Sequence, residues 1–147
     1  NGENVSQAIR TPEASMDASA VSAIPAVREF LLEQQREIAR KNNVIMDGRD
    51  IGTVVLPEAQ VKIFLTASPE ERARRRYEEL CQKGEQVTYE EVLKDVVQRD
   101  YNDTNRAAAP LRQAEDALLA DTTGKSLEES IAFIQGLIRE KLKGAEA

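Results

Sequence analysis

Two short apolar runs, "VKIFL" at 61–65 and "ALLAD" at 117–121, are each followed within a few residues by the start signal of a helix. That pairing constrains the fold more than any other feature of the chain. The continuous apolar character of "VKIFL" suits a strand covered on both faces, and "ALLAD" also reads as a strand. Ser68-Pro69-Glu70-Glu71 has the spacing of a capping box with proline at the first helical position, and Ser126-Leu127-Glu128-Glu129 caps the last helix. A third apolar run, Val44 to Met46, lies upstream and reads as the first strand. Strand followed by helix, repeated, predicts an α/β layer protein with a mostly parallel sheet and flanking helices.

The helices fill in around those strands. From Met16 the apolar residues Val21, Ile24, Val27, Phe30, Leu31 and Ile38 recur at three- and four-residue steps. Pro25 starts a fresh helix there, since proline suits a first turn, and "KNN" ends it near Lys41. The helix after Ser68 carries "PEERARRRYEELCQK" and is closed by Gly84. Thr88-Tyr89-Glu90-Glu91 opens another through "EEVLKDVVQRDYND". The two helices between 69 and about 107 read as a charged hairpin outside the core. The last helix has one apolar stripe: Leu127, Ile131, Ile134, Leu137, Ile138 and Leu142. No internal repeat and no low-complexity linker interrupts the 147 residues, a length that fits one domain able to bury a core.

Composition narrows the chemistry. The formal charge of −6 argues against a general nucleic-acid or membrane-surface binder, which needs a positive field. With no histidine and one cysteine, Cys81, there can be no Ser-His-Asp triad, Cys-His pair, or zinc site of cysteine and histidine. No disulfide can form within the chain, so a reducing cytoplasm is the expected location. No stretch resembles a signal peptide, and no apolar run is long enough to span a membrane. Chemistry must rest on Arg, Asp, Ser and Lys, a set suited to handling phosphate.

Three clusters could carry it. In "VIMDGRDIGTVV" a strand runs into Asp47-Gly48-Arg49-Asp50, either a solvated turn or a polar cluster at the carboxyl end of a parallel strand, where open α/β sheets place ligands. In "RDYNDTNRAAAPL", Arg99, Asp103 and Arg106 fall at steps of four and three, so a helix would put them on one face. A surface stripe of ion pairs would have the same spacing. Arg72, Arg74, Arg75 and Arg76 follow Ser68. Their planar forks suit polyphosphate, although Glu70, Glu71, Glu78 and Glu79 could pair with them as a solvated face. "TTGKS" at 122–126 imitates the end of a phosphate loop, but GxxxxGK[ST] needs glycine where Leu119 stands. It reads as the loop before the Ser126 cap, and Cys81 as a packing or exposed residue.

Taken in order, "PAVREFLLEQQREIA", "VIMDGRDIGTVVLPEAQVKIFLTASPEERARRR", "RDYNDTNRAAAPL" and "ALLADTT" resemble the bacterial cytidylate (CMP) kinase family over nearly the whole chain. The resemblance implies the P-loop nucleoside monophosphate kinase fold with a helical lid. It implies transfer of the ATP γ-phosphoryl group to CMP or dCMP with Mg2+, in the cytoplasm, with no nucleic-acid or membrane partner. By position, Ser19, Arg28 and Asp50 look like contacts to the cytosine ring. Arg49 and Arg106 look like clamps on the CMP phosphate, and Arg99 and Asp103 like sugar contacts. Asp47 is similar to the carboxylate that holds magnesium through water. Arg72, Arg75 and Arg76 lie where a lid would bring positive charge onto the transferred phosphoryl. The regions so defined are 1–42, the remainder of the CMP-binding region with a core helix, and 43–68, the core strands with DGRD. Residues 69–107 form the lid and substrate-contacting helix, and 108–147 the C-terminal strand and helix.

One departure stands out. The family begins with a strand and a GxxxxGK[ST] loop, and these 147 residues contain neither. In the family's sheet that first strand lies between those matching "VIMD" and "VKIFL", so two strands would have open edges, to be completed by an N-terminal segment or another chain. Residues 1–147 alone are therefore expected to be inactive. Two other readings remain: a non-catalytic fragment that binds a cytidine nucleotide, or a kinase of the same fold with another acceptor.

Overall fold

The computed structural model describes residues 2–6, 8–22 and 24–145. The chain divides into two compact units, Asn1–Met46 and Asp47–Ala147. In the first, helix α1 spans Pro12–Ser22 and α2 spans Pro25–Lys41. The helical start falls at Pro12, upstream of the expected Met16, because Thr11 Oγ1 accepts from the Ala14 amide at 3.1 Å and caps the turn. Pro25 opens α2 as expected, and Arg40 and Lys41 sit in its last turn, where cations oppose the helix dipole. The Asn42 side chain donates to the Ile38 carbonyl at 3.0 Å and ends it.

Val44 to Met46 is not a strand, contrary to the pattern. The segment has no ladder partner among the described residues, and Ile45 is fully exposed. A strand exists only through exchange of backbone hydrogen bonds with a neighbour, so apolar composition alone cannot make one.

In the second unit the chain bends at Gly48–Asp50 and makes one π-helical turn, Ile51–Val55. Gly48 is needed there: a Cβ would stand 2.9 Å from Ile51 Cγ1, a carbon next to the branched Cβ that cannot swing away cheaply. Strand β1, Ile63–Thr66, pairs in parallel with β2, Leu118–Asp121, in the register Ile63↔Leu118 to Thr66↔Asp121. Between them run α3, Pro69–Gln82, and α4, Tyr89–Asn105; α5, Leu127–Ala145, follows β2 and packs on it. The parallel β/α order is the predicted one. Coverage of both sheet faces is not found: Leu65 and Leu119 stay more than half exposed, on strands with one neighbour each among the described residues.

Helices α3 and α4 form the expected hairpin around Ala73, Leu80 and Val92, joined by Tyr77, Val87, Tyr89, Leu93 and Val96. Tyr77 and Tyr89 meet edge to face, with ring centroids 6.3 Å apart. Burying Leu80 or Val92 contributes about 1.5–3 kcal/mol each. The boxes at Thr88 and Ser126 close in both directions. At Ser68 only half forms: its hydroxyl accepts from the Glu71 amide, while its own amide donates to Thr123 Oγ1 at 2.9 Å. Gly84, at φ +81°, ends α3, with its amide on the Cys81 carbonyl and the Glu85 amide on that of Leu80. Among the described residues no helix is long and apolar enough to cross a membrane.

Candidate functional site

The DGRD bend is held by its backbone. The Asp50 carbonyl accepts from the amides of Val54 (2.9 Å) and Val55 (3.2 Å), so the π turn fixes the backbone at Asp50, next to Arg49. Arg49 Nε donates to Asp103 Oδ2 at 2.9 Å, and Arg99 Nε stands 3.8 Å from the same oxygen. Asp103 is only 5% exposed, in the last turns of α4. A surface stripe of ion pairs would leave it in water. It is instead a buried carboxylate facing two guanidiniums, one supplied by the bend.

Arg106 departs from the expected shared helical face. α4 ends at Asn105, and Arg106 follows with extended ψ (141°). Its Nε donates to the Ala109 carbonyl at 2.7 Å, and its Nη2, buried and without a hydrogen bond, lies 3.6 Å from Asp50 Oδ1. Ala109 has φ +50°, an unusual conformation for alanine, and the Leu111 amide donates to the Asp103 carbonyl at 2.8 Å. "AAAPL" thus folds back on the end of α4 and braces Arg106. Arg49, Asp50, Arg99, Asp103 and Arg106, drawn from two motifs about fifty residues apart, make up a charged cluster of two ion-pair groups, Arg49 and Arg99 on Asp103 and Arg106 on Asp50. Its three guanidiniums and two carboxylates could bind a phosphate ester and accept from hydroxyl or amino groups.

The α3 arginines divide. Arg74 pairs with Glu71 and Glu78, and Arg76 with Glu79, all on their own helix: the solvated face that the sequence left open. Those contacts lower the carboxyl pKa of Glu71, chiefly through hydrogen bonding to Arg74, and of Glu79, chiefly through Lys83 and then Arg76. Arg75 reaches from Glu71 to the carbonyls of Thr122 (2.7 Å) and Lys125 (3.2 Å), bolting α3 to the loop after β2. "TTGKS" is accordingly the loop before the Ser126 cap. Arg72 crosses to α4: Nη1 donates to Asp100 Oδ1 at 2.9 Å, Nη2 to Asp100 Oδ2, and Nε to the Ala67 carbonyl at 2.9 Å. The Asp100 hydrogen bonds raise the Arg72 pKa.

Asp47 is exposed at the start of the bend. Ser19 on α1 and Arg28 on α2 belong to the first unit, where Arg28 Nη1 donates to the Ser22 carbonyl at 3.2 Å and the Ser22 hydroxyl to that of Ser19 at 2.9 Å. Among the described residues no group of three acidic, cysteine or histidine side chains could hold a metal ion. Cys81 is exposed.

Sequence reasoning missed two ties. Lys62, buried within the apolar run, donates to both carboxylate oxygens of Asp116 at 2.8 Å and to the Pro57 carbonyl. A lysine inside "VKIFL" was the available signal. Asp100 had none beyond its place beside Arg99.

Fold and site together define an α/β protein with a cluster of arginines and aspartates suited to a phosphate ester. The family model for cytidylate kinase matches residues 1–140. The chain is 57% identical to the cytidylate kinase of Carboxydothermus hydrogenoformans over 96% of its length, and 56% identical to that of Caldanaerobacter subterraneus subsp. tengcongensis over 98%. It is 52% identical to that of Fervidobacterium nodosum over 97%. The chain belongs to the cytidylate kinase family, whose fold is that of the P-loop nucleoside monophosphate kinases. It spans 64% of the length of the first two relatives.

Proposed function

We propose that these residues form the acceptor-binding part of an enzyme that transfers the ATP γ-phosphoryl group to CMP or dCMP. One observation carries the reading: Arg49 from the DGRD bend and Arg99 from α4 converge on the buried carboxylate of Asp103, while Arg106 faces Asp50. Solubility does not require charges tied across some fifty residues of chain. In this reading Arg49 and Arg106 fork onto the CMP phosphate, and Asp103 accepts from ribose hydroxyls with Arg99 beside it. Asp50 reads the cytosine ring. A carboxylate accepts from the exocyclic amine of cytosine and would face a carbonyl in uracil, which accounts for the choice of base.

Phosphoryl transfer depends mainly on positioning and charge, so no general base of perturbed pKa is required. The arginines on α3, Arg72, Arg75 and Arg76, supply positive charge near the transferred group. Magnesium fits the donors here, being held in such sites by one or two carboxylates together with substrate phosphates. Asp47 would hold it through water, and the ion would neutralise charge on the phosphates.

The test is ATP-dependent conversion of CMP to CDP by the protein with its P-loop segment present. Asp50→Ala should weaken CMP and dCMP by the loss of a charge-assisted hydrogen bond, about 1.5–3 kcal/mol, with little change in ATP use. Equal losses for both substrates would reject Asp50 as the base reader, and preference for another nucleotide would favour a different acceptor. Residues 1–147 by themselves contain no GxxxxGK[ST], the motif whose amides and lysine cradle the β- and γ-phosphates. That polypeptide should bind a cytidine nucleotide at most, and regain turnover when the P-loop segment is added as a separate chain. Turnover at the confirmed mass of these residues would refute this.

A further inference from the structure

Asp100 immediately follows Arg99 on α4, yet its carboxylate turns away from the Arg49–Asp103–Arg99 cluster and takes the guanidinium of Arg72 from α3. Arg74 and Arg76 find carboxylates on their own helix, and Arg75 takes Glu71 and loop carbonyls. Arg72 alone of these four is tied by its side chain to α4, the helix that carries Arg99 and Asp103. Its Nε is fixed as well, on the Ala67 carbonyl just past β1, so the plane of the fork is set from two directions. A bidentate pair with a third contact leaves two N–H directions of the guanidinium uncommitted. The pair is about one-third exposed on each side, and such a pair adds little to folding stability.

We propose that Asp100 is a positioning residue. It holds Arg72 so that its two remaining N–H groups serve the phosphoryl group, and it makes the orientation of that arginine depend on α4, the helix that holds the acceptor. The inference rests on the kinase reading above and deepens it, because it selects Arg72 among the α3 arginines and assigns α4 a part in setting it. Acceptor binding at Arg99 and Asp103 and placement of charge at the transferred group then share one rigid element.

The experiment compares the parent, Asp100→Asn, Asp100→Glu, Arg72→Lys and the Asp100→Asn/Arg72→Lys double variant, each with the P-loop segment present. Misplacing a positioned group by about 1 Å can cost about 100-fold, so Asp100→Asn should lower kcat between 10- and 100-fold, roughly, at little-changed KM for CMP. Asp100→Glu should recover part of that loss, and Asp100→Asn should cost nothing further once Arg72 is lysine. A parental kcat in Asp100→Asn, a KM for CMP rising in step with the fall in kcat, or equal losses in both backgrounds would overturn the proposal. A second readout needs no turnover: the Arg72 Nη–H NMR signal, from the nitrogens that donate to Asp100, should be sharp and slowly exchanging in the parent and lost in Asp100→Asn. If it is unchanged, Asp100 does not position Arg72, whatever the acceptor proves to be. If instead the signal behaves as expected but no CMP is phosphorylated by the parent, the kinase reading fails while the positioning stands.

Discussion

Arg49 and Asp103 form one ion pair whose two ends sit in different surroundings, and that difference predicts unequal costs for breaking it. The Asp103 side chain is 7% exposed and that of Arg49 is 41% exposed. Asp103→Asn keeps the shape and an acceptor for Arg49 Nε, while the half-exposed guanidinium returns partly to water. Since a charge-assisted hydrogen bond is worth roughly twice a neutral one, the loss should be about 1–1.5 kcal/mol. Arg49→Met strands a buried carboxylate, with Arg99 Nε at 3.8 Å and outside hydrogen-bond distance. Breaking a buried pair from that side costs about 3–5 kcal/mol, and the remaining attraction of Arg99 brings the expected value to about 2–3. Urea unfolding at pH 7, followed by far-UV circular dichroism, measures both. The gap should persist at high salt, because a buried charge is poorly screened. If the two variants cost the same, or Asp103→Asn costs more, the burial argument is wrong.

Two further outcomes are expected. Arg49→Lys and Arg106→Lys keep the charge but lose the fork, so both should reduce CMP turnover while leaving cytidine, which has no phosphate, bound as before; a lysine variant at parental rate would mark that arginine as a surface charge. The carboxyl pKa values of Glu71 and Glu79 are lowered in the folded chain from 4.5, so their pairing stabilises above that pH and is lost as pH falls through the folded values. The helix signal of α3 should therefore hold from pH 7 to 5 and decline only below 4.5, and a decline beginning near pH 6 would contradict the assignment.

Local chemistry was readable residue by residue. Pro25, Thr88, Ser126 and Gly84 each act within three or four residues of themselves, so helix starts and stops need no knowledge of the rest of the chain. The parallel pairing of β1 with β2 followed from strand–helix order, and the co-occurrence of DGRD with RDxxDxxR marked the residues that the fold brings into ion pairs with one another.

Other features depended on contacts with distant residues, and there the local pattern failed. Val44 to Met46 has the composition of a strand but, among the described residues, no neighbour to exchange ladder hydrogen bonds with. Arg72, Arg74, Arg75 and Arg76 are alike in sequence, yet they end on Asp100, on glutamates of α3, or on carbonyls after β2, according to which way each faces. Asp103 and Arg106 look equally helical, but the chain turns out at Arg106 because Ala109 and Leu111 fold back onto it. Spacing along a chain sets which side chains share a face. Which groups lie opposite that face, and so whether a charge meets water, a carboxylate or a carbonyl, is settled only when the elements pack.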